Sequence, residues 1–115
     1  MIRFDTPIQM ANFDRSGPGI TMPAIDLRVG SCIWTKRHDT LELGAWPVAV
    51  INRSERPVWR VLDALWTSGS QRFWQVEDWV SASSVGTPDG VAICIGISVE
   101  GAGSFIAGNI LCRSD

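Results

Sequence analysis

The sequence predicts a small, mainly β domain: an antiparallel β-sandwich or barrel carrying one helix near residues 55–66. Three observations lead there. Short apolar runs recur at regular spacing, separated by Gly, Pro and Ser clusters. Several of these runs alternate apolar with polar residues, the period of a half-buried strand. The tail holds two apolar stretches, Val91–Val99 and Ser104–Cys112, around the turn-forming residues Glu100-Gly101-Ala102-Gly103, a hairpin pattern. The alternative is an α+β fold with two central helices, because Gln71 to Val80 also fits a helical face through Phe73, Val76 and Val80.

Taken in order, Ile2 to Phe13 reads as an edge strand or extended arm, and Asp14 to Pro23 as a loop. Ile25, Leu27 and Val29 alternate with Asp26 and Arg28 as in a strand, and Gly30 ends it. Cys32 to Thr35 is a second short strand, followed by a polar turn at Lys36-Arg37-His38-Asp39. Val48-Ala49-Val50-Ile51 is a continuous β-branched run suited to an inner strand, and Asn52 to Pro57 reads as a turn.

From Val58 to Trp66 the period changes. Arg60, Asp63 and Thr67 share one side of a helix and Val58, Val61, Leu62 and Leu65 the other. Ser54 supplies a cap, Pro57 suits the first turn and Gly69 the end. A hairpin turning at Thr67-Ser68-Gly69-Ser70 competes with this helix. The aromatic and β-branched content of Gln71 to Val80 favours strand, and Ser81 to Gly90 reads as a loop.

The length, 115 residues, suits a single domain over residues 1–115 with one core. A net charge of −2 argues against nucleic acid, whose affinity rests on many Lys and Arg contacts to phosphate. Residues 1–60 hold eight basic and six acidic side chains and residues 61–115 two and six, so the halves are oppositely charged, as suits head-to-tail contact between copies. No apolar run approaches the roughly 18–20 residues of a membrane span. The first residues lack the apolar core of a signal peptide. The expected location is therefore cytoplasmic or within a virion or other assembly.

Three widely spaced cysteines, Cys32, Cys94 and Cys112, form no disulfide framework or metal motif, and no cofactor or metal is expected. His38, the one histidine, stands beside Asp39 and six residues after Cys32, which invites a Cys–His–Asp reading. Such triads are recognised by geometry and not by spacing. Gly101-Ala102-Gly103 lacks the third glycine of a dinucleotide turn and the chain length to follow it. Glu77 and Asp78 are adjacent, so they cannot face each other across a cleft as a glycosidase pair would.

Five of the six tryptophans lie between Trp46 and Trp79. An exposed Trp beside Arg has the composition of an interface hot spot. The expected contact residues are Trp74, Trp79, Arg72, Trp59 and Trp66, with Phe105 and Ile106 from the tail. Two or three of the tryptophans are expected in the core and one or two exposed. The function expected from the sequence is that of a non-enzymatic protein–protein interaction or assembly protein. Its partner would be another protein or a second copy, as in a homo-oligomer or a viral or phage assembly. A carbohydrate-binding module with a glycan on an exposed Trp is the alternative, and a small hydrolase using His38 with Cys32 or Cys94 ranks last.

Overall fold

The computed structural model describes residues 1–114. Eleven strands build it: β1 (Ile2–Arg3), β2 (Pro7–Ala11), β3 (Pro18–Pro23), β4 (Cys32–Lys36), β5 (Leu43–Val61), β6 (Leu65–Thr67), β7 (Arg72–Gln75), β8 (Asp78–Ser81), β9 (Thr87–Val99), β10 (Ser104–Ala107) and β11 (Ile110–Arg113). The one α-helix, α1 (Ala82–Val85), is a single turn. All strand pairings are antiparallel, in the order β6-β1-β9-β5-β4-β2-β10-β11-β7-β8, with β3 on β2. β6 also pairs with β5, so β6, β1, β9 and β5 close into a small ring. The mainly β class with one helix is what the sequence predicted.

The helix is in a different place. Residues 55–66 are strand, turn and strand, and α1 lies in the predicted loop after Ser81. Leu62 and Asp63 take left-handed backbone (φ 51° and 55°), which ends β5 and starts β6 with Val61 opposite Leu65. The helical pattern was misleading because Leu62, counted among its apolar face, is 56% exposed at this hairpin tip, while Val58, Val61 and Leu65 are buried. The competing turn, at Thr67–Ser70, is not this one either. The two-helix alternative fails likewise, since residues 71–80 form the β7–β8 hairpin, with Trp74 opposite Trp79.

The tail differs too. β9 does not pair with β10. It runs along β5 from Arg60↔Thr87 to Val48↔Val99, while β10 turns at Gly108-Asn109 and pairs with β11. Gly108 and Asn109 have φ of 55° and 65°, the two-residue hairpin turn that a Gly-Asn pair favours. Asn52 to Pro57, predicted as a turn, continues β5 because β9 covers its hydrogen-bonding edge. Residues 18–23, predicted as loop, pair with β2, and the expected strand at 25–29 is a 3-10 turn (Ala24–Asp26) and loop. β2 is an inner strand, flanked by β4 and β10.

The core joins residues from most strands: Ile2, Ile8, Ile33, Val48, Val61, Leu65, Phe73, Ile95, Phe105 and Ala107 are all buried. At a few kcal/mol or less per buried aliphatic or aromatic side chain, this cluster is the main driving force for the fold. Thr35 and Ser104 are buried in it as a bonded hydroxyl pair, 3.0 Å apart, and Ser104 Oγ also donates to Lys36 O. No helix is long and apolar enough to cross a membrane among the described residues.

Candidate functional site

β1 starts in the middle of the ring of strands, so residue 1 lies against the segment that leaves β6. The Met1 α-ammonium donates to Ser68 Oγ at 3.0 Å and to Gln71 Oε1 at 2.8 Å. Ser68 N–H returns a bond to Met1 O at 2.8 Å. The turn that makes this grip is itself well held. Gln71 N–H donates to Ser68 O, Thr67 Oγ1 donates to Ser68 O, and Gln71 O and Gly69 O accept from Ala82 and Ser83 at the start of α1. Gly69 has no room for a side chain, because a Cβ there would stand 2.9 Å from the Trp59 ring.

Gln71 also reaches the other end of the chain. Its Nε2 donates to Arg113 O at 2.7 Å and to Arg72 O at 3.0 Å. A buried primary amide needs partners on both its atoms; here the oxygen takes Met1 and the nitrogen takes Arg113. Gln71 is only 2% exposed. One buried side chain thus holds both ends of the domain.

Beyond Arg113, Ser114 N–H donates to Gly103 O at 3.0 Å, and Val99 N–H points to Ser114 Oγ at 3.4 Å. The Arg113 guanidinium lies 5.8 Å from the centre of the Trp79 ring, which meets Trp74 edge to face at 5.2 Å. An open cavity of about 240 Å3 adjoins Met1 and Gln71, with Arg56, Ser70 and Ser98 on its walls.

Two of the three thiols, Cys94 and Cys112, are not poised to react. Burial pushes Cys112 up to about 12 and raises Cys94 also, and a protonated buried thiol is a poor nucleophile. The Cys–His–Asp reading fails on geometry. Asp39 is bound by Arg37 through two hydrogen bonds, which hold its carboxyl down at about 2, while His38 Nδ1 bonds Ala102 O. Among the described residues no group of three or more His, Cys, Asp or Glu side chains could hold a metal.

The expected contact residues lie in several parts of the fold. Trp59 packs under Gly69, and Trp66 lies beneath the Arg3 guanidinium (4.1 Å) with its Nε1 donating to Asp89. Trp74 and Trp79 face each other on the β7–β8 hairpin, and Arg72 starts β7 opposite Ser81. Phe105 is 1% exposed, a core residue and not a contact residue; Ile106 is half-buried beside Pro7 and Gln9. All six tryptophans are half-buried, so none is a bare platform and none is full core. Gln71, Ser68 and Ser114 were not singled out from the sequence; nothing local marks them, because Gln71 and Ser68 act through contacts across 42 to 70 residues and Ser114 through the turn at 99–103.

The chain is similar in fold to the DnaB intein from Synechocystis sp. PCC 6803, with a TM-score of 0.83 and 18% identity, covering 99% of this chain and 97% of that one. It is similar to a double mutant of an Ssp DnaB mini-intein variant at a TM-score of 0.82 and 18% identity, over 98% of this chain and 90% of that. A single mutant of the same variant gives 0.79 and 15%, over 99% and 98%. No family model matches the sequence, and no curated protein matches it either. At these identities the likeness is one of fold. It overturns the expectation of a non-enzymatic, homo-oligomeric assembly protein, together with the carbohydrate-binding alternative. The Trp-rich content that motivated that reading is spent instead on lining turns and strand faces.

Proposed function

We propose that the chain is a self-processing domain of the intein type, acting on the peptide bond between Arg113 and Ser114. The observation that carries this is the Gln71 bridge, which places residue 1 and that bond in one site. Gln71 Nε2 donates to Arg113 O, the oxygen on which negative charge grows when the carbonyl is attacked. Ser114 supplies the adjacent hydroxyl.

The step is an N-to-O acyl shift. Ser114 Oγ bonds to the Arg113 carbonyl carbon, the Arg113–Ser114 C–N bond breaks, and the hydroxyl proton ends on the freed Ser114 amine. Atoms balance without a cofactor, and the product is an ester that water or another nucleophile can open. Met1 has a different role. Its thioether has no proton to lose and makes no stable acyl intermediate, so the residue 1 side is held and not activated.

The test is a fusion with one reporter domain before Met1 and another after Asp115, followed by mass spectrometry. Cleavage between Arg113 and Ser114, accelerated by hydroxylamine and abolished in Ser114→Ala, is the expected result. An intact fusion that hydroxylamine leaves untouched, or cleavage indifferent to Ser114→Ala, overturns the reading.

A further inference from the structure

His38 is the one imidazole, and it lies close to the residues that hold Ser114 although it belongs to a different loop. Its backbone N–H donates to Ala102 O at 2.9 Å, and its ring Nδ1 lies 2.9 Å from the same oxygen. A carbonyl oxygen only accepts, so Nδ1 carries a proton in this contact. The ring also occupies the space where a side chain at position 103 would go. A Cβ on Gly103 would stand 2.5 Å from Nδ1, and the backbone there is left-handed, with φ of 64°.

The loop under His38 is the one that fixes Ser114. Gly103 N–H donates to Val99 O at 2.8 Å, closing residues 99–103 into a turn. Gly103 O then receives Ser114 N–H, and Val99 N–H points to Ser114 Oγ. Backbone and hydroxyl of Ser114 are therefore both referred to one turn. Two bonds from His38, one from its backbone and one from its ring, tie the next loop to that turn.

We infer that His38 is a positioning residue for Ser114, acting through the Nδ1–H that it donates to Ala102 O and through its contact with Gly103. The inference rests on the acyl-shift reading for its effect on rate, but not for its geometry. His38 holds the turn as a hydrogen-bond donor and does not carry the proton. Asp39, the neighbour that could orient it as a base, is taken by Arg37.

The experiment compares His38→Asn, whose side-chain amide still donates, with His38→Ala in the two-reporter fusion. Misplacing a reacting group by about 1 Å costs on the order of 100-fold in rate. His38→Ala is expected to lose about that much, and His38→Asn to stay within a few-fold of the parent with an unchanged pH profile. An Asn variant that folds, by its Trp emission, and yet is as slow as the Ala variant would overturn the inference in favour of proton transfer by the ring. An Ala variant as fast as the parent would overturn it too.

Two measurements on the intact chain do not depend on cleavage. Imidazole 15N shifts should report the Nδ1–H tautomer, and the opposite tautomer sinks the inference. Exchange of the Ser114 amide should quicken in His38→Ala and be restored in His38→Asn; no change in either sinks it. If the parent fusion never cleaves, the acyl-shift reading fails while these two results still decide the role of His38.

Discussion

Gln71 and Arg113 are 42 residues apart in sequence and are joined by one of the shorter hydrogen bonds in the molecule, Nε2 to carbonyl oxygen at 2.7 Å. The same amide accepts from the Met1 nitrogen through its oxygen. Gln71→Ala removes one of two acceptors from the Met1 nitrogen, which keeps Ser68 Oγ, and the side-chain donor from Arg113 O. The expected cost is about 1–3 kcal/mol, read as a lower midpoint in urea. Gln71→Glu should be at least as damaging, because a carboxylate presents no donor to Arg113 O. In the fusion assay both variants should slow cleavage far more than Ser70→Ala, whose hydroxyl lies on the cavity wall.

Gly86 and Gly17 give a controlled pair. A Cβ on Gly86 would come within 2.8 Å of the carbonyl oxygens of Ala82 and Arg60, backbone that cannot swing away, whereas at Gly17 the nearest atom is 3.5 Å off, on the Asn12 side chain. Gly86→Ala should cost about 1–3 kcal/mol through overpacking. Gly17→Ala should stay within about 0.5 kcal/mol of the parent. Equal melting temperatures for the two would refute the packing argument.

Trp66 carries two separable interactions. Its ring lies under the Arg3 guanidinium and its Nε1 donates to Asp89 Oδ2 at 2.6 Å. Trp66→Phe keeps a ring for Arg3 and deletes the donor, with an expected loss of roughly 1 kcal/mol at this partly open site. Trp66→Leu deletes both and should cost about 0.5–1 kcal/mol more. Chemical denaturation of the pair separates the terms.

Cys112 makes stability depend on alkaline pH. Its thiol is pushed up to about 12 in the folded state against 9.0 for the free group, because burial disfavours the thiolate. Below pH 9.0 both states keep the proton and nothing changes. As the pH climbs from 9.0 toward 12 the unfolded chain ionises and the folded one does not, so stability is lost across that window. Cys112→Ala should lower stability at neutral pH through the lost packing, yet flatten this alkaline decline. In alkylation at pH 8, half-buried Cys32 should react well before Cys94 and Cys112.

The β class was legible because it depends on local pattern: β-branched runs, alternation, and turn residues at short intervals. Pairing was not, because pairing is decided by which edge finds which partner. Arg53 and Arg56 look like turn residues until Ile95 and Ala92 lie opposite them. Gly108-Asn109 was a readable turn signal inside the apolar tail, and the length of that tail hid it. The candidate site was the least legible part. Met1, Ser68, Gln71 and Ser114 are ordinary polar or terminal residues by type. Their chemistry comes only from the ring of strands that sets residue 1 beside residues 68–71 and the last strand beside β7. The tryptophans were conspicuous by contrast, and they serve as packing for Gly69, Gly101 and Arg113.

Because residues 1 and 113 share a single amide, a polypeptide that runs into this domain and out again enters and leaves at nearly the same point. Segments joined at these two points would be separated by more than a hundred residues in sequence but scarcely moved apart in space.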